Sequence, residues 1–343
     1  MTRPFRPVSP REVPRFAGIS TFLRLPRHDA PADLDAMIVG APYDGGTSYR
    51  PGARFGPKAI REASSLTRGF HPEQGVDVFD VLDVADGGDI ACNPLDMGRT
   101  LSSIEETVAR IVSAECLPIV VGGDNTVSLG VLRALAKAHG PVGLVHFDAH
   151  SDTYPPAWGC DPHHGTVFRN AVEEGLIEAA RTIQIGVRGP FSSRADLDFA
   201  RGHGFTVVSA EEVRSGVGAV ARRIAEVARR GKVYVCLDID CVDPAFAPGT
   251  GTPVPGGLTS MEILQLVRAL RGLDLAGFEL VEVAPAYDVS GITALLGAAL
   301  LAEFLAAYAA TTARRRQRRL PSGRPTPRLP AGSRPPRTRR RGG

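Results

Sequence analysis

Two short stretches of this 343-residue chain concentrate carboxylates at a spacing suited to holding a cation. In HFDAHSDT (146–153), Asp148, His150 and Asp152 alternate by two, so an extended backbone sets all three on one face. Acids leaving a buried strand are costly unless their charge is compensated, and a metal ion is the simplest compensation. In CLDIDCVDP (236–244), Asp238 and Asp240 share a face in the same way, with Asp243 just beyond. Four converging carboxylates without cationic partners repel one another, and some are forced to keep a proton. Oxygen-rich ligation with one imidazole suits Mn²⁺ better than a structural zinc site.

Such residues need a scaffold that carries distant segments to one edge. AMIVGAP (36–42), PIVVGGD (118–124), VGLVHFDAH (142–150), TIQIGVR (182–188), KVYVCLDID (232–240) and FELVEVAP (278–285) read as buried strands. Between them Leu101, Ile104, Val108 and Ile111 repeat at helical spacing, as do Val220, Ile224 and Val227. The alternation predicts an α/β fold of three layers, a parallel sheet flanked by helices. Polar residues gather where the apolar runs stop: Asp124, then Asp148, His150 and Asp152, then Asp238 and Asp240, then Glu282. Ligands of open parallel sheets sit at the carboxyl ends of strands, so several strands deliver acids to one edge. His146, deeper in its strand, reads as a satisfied core histidine. Asp124 reads as a helix cap or loop support, and Cys236 and Cys241 as packing residues.

Six motifs in fixed order carry a resemblance. PYDGGTSYRPGARFGPKAIREAS (42–64), VVGGDN (120–125), HFDAHSD (146–152), HHGTVFR (163–169), LDIDCVDPAFAPGTGTPVPGGLT (237–259) and LVEVAPAYD (280–288) are similar to the arginase/agmatinase (ureohydrolase) family. The similarity spans about residues 15–310, and SYRPGARFGP and HHGT resemble agmatinases and proclavaminate amidinohydrolases more than arginases proper. It implies an arginase-like sheet with two Mn²⁺ ions per subunit. Asp148 and Asp238 would bridge the ions, Asp152 would complete one site, and His150 with Asp240 the other. His164, preferred over His163 because it precedes Gly-Thr, would pass a proton to the departing amine, and Glu282 would grip a guanidinium. The implied reaction is amidinohydrolysis: hydroxide attacks a guanidino compound such as agmatine, and urea leaves. The chemistry makes sense of the set, because two cations can acidify a water toward neutral pKa. Asp152 can orient the resulting hydroxide, and an imidazole titrating near neutrality can protonate a poor leaving group. The resemblance also implies that the far end of the substrate is an amine or a neutral group, not an arginine-like α-amino acid.

One position departs from the family pattern. Where the family has GGDH, its histidine ligating the first metal, this chain has Asn125. An asparagine oxygen can ligate a hard cation but is a weaker donor than imidazole, so the first site is expected to be weak. Two other readings follow: a pathway-specific amidinohydrolase acting on a guanidino secondary metabolite, and a non-catalytic homologue.

Composition bounds the rest. The formal net charge of +3 conceals an acidic body, since residues 314–343 hold twelve arginines and no acid; setting those aside leaves residues 1–313 at −9. We therefore expect a catalytic domain over 1–313 and a disordered Arg/Pro-rich tail over 314–343, the tail being the only basis for nucleic-acid binding. Five cysteines without a CxxC pair, and an N-terminus with no apolar run, point to a reduced, cytoplasmic protein. Residues 292–313 are apolar enough to pass for a membrane anchor, but Glu303 near their middle would cost about 2.5–3.5 kcal/mol at a bilayer centre. A helix buried in the core or in the interface of a homo-oligomer is expected instead.

Overall fold

The computed structural model describes residues 4–191 and 193–319. Its strands are β1 (Ala36–Ala41), β2 (Phe70–His71), β3 (Val76–Asp77), β4 (Val84–Asp89), β5 (Leu117–Gly122), β6 (Val142–Phe147), β7 (Ile177–Val187), β8 (Thr206–Ser209), β9 (Val233–Asp238) and β10 (Leu275–Val281). Eight form one sheet in the order β4-β1-β5-β10-β9-β6-β7-β8, and β2 pairs with β3 in a small antiparallel hairpin. Every pairing in the large sheet is parallel. β1, β5, β6, β9 and β10 are buried at every position, as a sheet covered on both faces demands.

Alternation along the strands divides the interior in two. On one face Ile38, Val121, Phe147, Leu237 and Leu280 meet Ile60, Ile224, Leu266 and Phe304, which project from the helices Gly56–Ala63, Val217–Ala228, Ser260–Arg268 and Ile292–Arg319. On the other, Val39, Val120, Leu144 and Cys236 meet Leu101, Ile104, Leu132 and Phe168 of Met97–Ser113, Val127–His139 and Val167–Glu173. These are the three layers expected. Full burial of each such side chain contributes roughly 1.5–3 kcal/mol.

Besides the β2–β3 hairpin, two strands of the large sheet are not apparent in the sequence. β4, with sequence VADGGD, sits at the sheet edge with acids and glycines in place of an apolar run, and β8 has only four residues. The apolar C-terminal helix is long and apolar enough by composition to cross a membrane, yet it is mostly buried in the fold. Glu303 on it accepts from Gln74 Nε2 at 3.0 Å, lies 2.9 Å from His71 Nε2 and pairs with Arg268 at 3.0 Å. This helix runs to Arg319, six residues past the expected domain boundary; Arg315 reaches Asp274 at 3.0 Å and Arg316 pairs with Asp35 at 2.5 Å. Most of the expected tail, 320–343, lies outside the described residues.

Candidate active site

The four central strands, β5, β10, β9 and β6, end side by side. β5 ends at Gly122, two residues before Asp124 and three before Asn125; β10 ends at Val281, just before Glu282; β9 ends on Asp238; and β6 ends at Phe147, just before Asp148. The chain leaves β5 on one side of β10 and β9 and returns as β6 on the other, opening the crevice in which such sheets bind ligands. The strand ends are stitched to one another. Glu282 N–H donates to Gly123 O at 2.8 Å, and Asp124 N–H donates to Tyr43 O at 2.8 Å. Gly123 is required here because a Cβ would lie 1.6 Å from Tyr43 O.

The carboxylate clusters form by a different route from the one the sequence suggested. Strand geometry stops at Phe147 and Asp238, so alternation on an extended face is not what gathers the acids. Asp240 lies in a 3₁₀ turn, Ile239–Cys241, whose N-cap is Asp238: Oδ1 of Asp238 accepts the Asp240 N–H at 2.8 Å. Asp152 turns back with φ +48°, and Glu282 does so with φ +65°. Both are in the left-handed region that glycine favours, at a cost of about 1–3 kcal/mol each.

These turns bring His150 Nδ1 to 3.2 Å from Asp148 Oδ1 and 3.1 Å from Asp240 Oδ2. Ligand atoms of Asp148, His150 and Asp240 lie within 4.8 Å of one another, as do those of His146, Asp148 and Asp152. Asp238 is 3% exposed at the same edge but joins neither group. His146 is buried and partnered on both ring nitrogens, Nε2 with Asp148 Oδ2 at 2.8 Å and Nδ1 with Gln184 Nε2 at 3.2 Å, as a core histidine should be.

The electrostatics are those of acids crowded out of water. Burial and then Asp240 push Asp148 up to about 7; burial and then Asp148 push Asp152 up to about 8. Burial, Asp240 and Asp148 hold Asp238 well above the carboxylate range. Asp240 moves the other way: burial is the largest single influence and would raise it, but the charge and hydrogen bond of His150, the Ala149 N–H and the contact with Asp148 together outweigh it. Burial likewise opposes a charge on His150, but Asp240 and Asp148 hold its pKa well above the ordinary value. One imidazolium cannot balance four acids, and an oxygen-rich set with one or two imidazoles fits hard divalent cations.

Beside the aspartates, Oε1 of Glu282 accepts the Asn125 N–H at 3.0 Å and lies 3.0 Å from His164 Nδ1. Its Oε2 is buried and has no partner among the described residues. Burial works against a charge on His164, but the hydrogen bond and charge of Glu282 outweigh it and raise the imidazole to about 9. The opposite nitrogen, Nε2, accepts the Ser48 N–H at 3.2 Å and lies 2.7 Å from Ser48 Oγ. A backbone N–H can only donate, so this geometry selects the neutral tautomer protonated on Nδ1, despite the pull of the carboxylate. His163 instead caps its own turn, accepting Gly165 N–H at 3.2 Å.

Asn125 lies beside Asp152, its Nδ2 donating to Asp152 Oδ2 at 2.6 Å. Its oxygen faces away, 2.6 Å from Ser128 Oγ and 3.4 Å from Cys236 Sγ. Asp124 supports the loop: Oδ2 accepts Gly46 N–H at 2.7 Å and Oδ1 accepts Thr126 N–H at 2.9 Å, while the helix cap is Thr126. Sequence reading missed Ser48, Ser128, Tyr234 and Glu279, which matter only through contacts made across elements. Glu279 alone left a trace, as an acid inside the apolar run FELVEV.

Comparison with known proteins follows the same lines. The Arginase family model matches residues 34–307. Proclavaminate amidinohydrolase of Streptomyces clavuligerus is 48% identical over 86% of this chain and 95% of its own length. Its solved structure superposes with a TM-score of 0.84 at 47% identity, covering 87% of this chain and 99% of that one. Guanidinopropionase of Pseudomonas aeruginosa is 48% identical over 90% of this chain and 98% of its own, and the mitochondrial agmatinase of Gallus gallus 46% identical over 87% and 88%. With the fold, the strand-end acids and these relatives in agreement, the chain belongs to the arginase family, as a hydrolase of carbon–nitrogen bonds in linear amidines that acts on guanidino compounds.

Proposed function

We propose that this enzyme releases urea from a linear ω-guanidino compound, agmatine or a guanidino acid, with the help of two Mn²⁺ ions. The observation that carries the substrate reading is Glu282: one oxygen is fixed by Asn125 N–H and His164, and the other is buried without a partner. A guanidinium presents parallel N–H donors that suit such an oxygen, and charge-assisted contacts of this kind orient a substrate.

His150, Asp148 and Asp240 would hold one ion, and Asp148 with Asp152 the other, with Asp238 shared as the family resemblance implies. When bound, the ions supply the Lewis acidity that makes hydroxide available at neutral pH. Asp152, next to Asn125, orients the nucleophile. His164 relays a proton to the departing amine nitrogen, with Glu282 holding Nδ1 and Ser48 holding Nε2. The relatives named for guanidino acids widen the expected range from amine-ended to carboxylate-ended substrates. Five free cysteines support a reducing cytoplasm, and Phe16 and Ile19, each 94% exposed, suit the interface of a homo-oligomer.

The test is a urea-release screen of Mn²⁺-loaded protein against agmatine, 3-guanidinopropionate, 4-guanidinobutyrate and arginine, with elemental analysis of the same sample. We expect two bound ions and turnover of one of the first three. Preferential cleavage of arginine would sink the substrate reading. Stoichiometric Mn²⁺ with no urea from any compound would favour a non-catalytic homologue.

A further inference from the structure

Beneath the site, in the core on the Cys236 face of the sheet, four fully buried residues with polar groups touch in series, with Cys236 beside them. Tyr234 and Cys236 project from β9, and Glu279 is the register partner of Cys236 on β10. Ser128 is the second residue of the helix that follows β5, and Asn125 stands three residues before it in the turn that leads into that helix, its carbonyl accepting the Ser128 N–H at 3.1 Å. Tyr234 OH donates to Glu279 Oε2. Ser128 Oγ lies 2.5 Å from that same oxygen and 2.6 Å from Asn125 Oδ1, and Asn125 Nδ2 ends the series on Asp152.

Counting hydrogens fixes the direction of the series. Ser128 has one hydroxyl hydrogen and two oxygens at bonding distance, so it can donate to only one of them. If Glu279 were ionised, that hydrogen would be drawn to the carboxylate, and Asn125 Oδ1 would face Ser128 Oγ at 2.6 Å with no hydrogen between them. If Glu279 carries a proton, every contact has one donor: Glu279 donates to Ser128, Ser128 to Asn125 Oδ1, and Asn125 Nδ2 to Asp152. The acid form is also the one that burial favours, since Glu279 Oε2 meets two hydroxyls and Oε1 has no partner among the described residues. With Asp152 ionised, as a carboxylate that holds a cation must be, turning the Asn125 amide over would set its oxygen 2.6 Å from Asp152 Oδ2, two acceptors in contact.

We propose that Tyr234, Glu279 and Ser128 form a positioning relay that holds the Asn125 amide with its nitrogen toward Asp152. The relay makes Asn125 a clamp on that carboxylate and withholds its oxygen from a cation. The proposal rests on the metal reading of the site. It differs from the sequence expectation, in which the asparagine oxygen stands in as a weak ligand.

Titration of metal-free protein with Mn²⁺, followed by the paramagnetic resonance of the free ion, separates the two ideas without measuring turnover. In Ser128→Ala the amide oxygen loses its hydroxyl donor and keeps only the weak Cys236 thiol at 3.4 Å, so it can turn toward a cation and the weaker site tightens about twofold to tenfold, the worth of one hydrogen bond. In Asn125→Ala the weaker site is not weakened, because no ligand has been removed. Glu279→Gln, whose amide can still donate to Ser128, keeps the wild-type curve. A Ser128→Ala curve that superposes on the wild type overturns the relay, and so does an Asn125→Ala curve shifted to weaker binding; the latter stands even if Ser128→Ala fails to fold. Wild-type protein that takes up no Mn²⁺ overturns the metal reading itself.

Discussion

Replacing Glu282 by glutamine isolates the one oxygen on which substrate recognition is argued to depend. In the native side chain Oε1 accepts from Asn125 N–H and lies against His164 Nδ1, each at 3.0 Å, while Oε2 is buried and unpartnered. A glutamine can keep its oxygen at the first position and satisfy both contacts, so the stitching of β5 to β10 survives. Its NH₂ then occupies the second position and meets a guanidinium donor to donor. The loss combines one charge-assisted hydrogen bond with a contact turned from attractive to repulsive, about 2–4 kcal/mol in the transition state. At 1.36 kcal/mol per decade this lowers kcat/KM about thirty- to several-hundredfold. Urea release under saturating Mn²⁺ is the assay, with a thermal melt to show that the fold persists. A kcat/KM within about twofold of wild type in a folded variant would remove Glu282 from the substrate site.

The neighbouring residues give three further expectations. Asn125→His should raise Mn²⁺ affinity at the weaker site about tenfold, the smaller effect usual even for groups behind the ligands, and bring activity at lower metal; identical titration curves would refute that placement. Burial raises Glu279 to about 7 from an ordinary 4.5, so the folded state keeps a proton that the unfolded state releases as pH rises between those values. Stability of metal-free protein should therefore fall across that window, by up to about 3 kcal/mol from this group, and Glu279→Gln should show a shallower fall in parallel denaturant titrations. Parallel curves would mean that Glu279 is ionised in the fold. A chain ending at 319 should match the full length in stability and activity. One ending at 313 should stay active but lose about 1–2 kcal/mol, since the Arg315–Asp274 and Arg316–Asp35 pairs are partly exposed. A larger loss, read from denaturant melts, would mean that the C-terminal segment docks more firmly.

The parts of this molecule that are legible in sequence are those whose cause is local. The runs at 36–42, 118–124 and 142–150 announce strands because burial on both faces leaves no room for polar side chains, and their ends announce the edge where the carboxylates gather. VADGGD hides β4 because an edge position tolerates acids and glycines that a central strand would exclude. Asp148, His150 and Asp152 read as one group in the sequence, whereas the fold divides them: Asp148 meets His150 and Asp240 on one side, and Asp152, turned back at φ +48°, with His146 on the other. The Ser128–Asn125–Asp152 contacts could not be read at all. They depend on which side of a helix meets which strand, and that is settled by packing across residues more than a hundred positions apart, as with Ser128 and Glu279.

The left-handed backbone at Asp152 and Glu282 has a consequence for laboratory evolution. Glycine or asparagine would relax either turn, so each is a place where a substitution can raise the melting temperature while removing a carboxylate from the reactive edge. A library of this enzyme screened for heat resistance alone should therefore gather replacements at these two codons, and they would be inactive. A screen that also demands urea should return both acids unchanged and find its gains elsewhere.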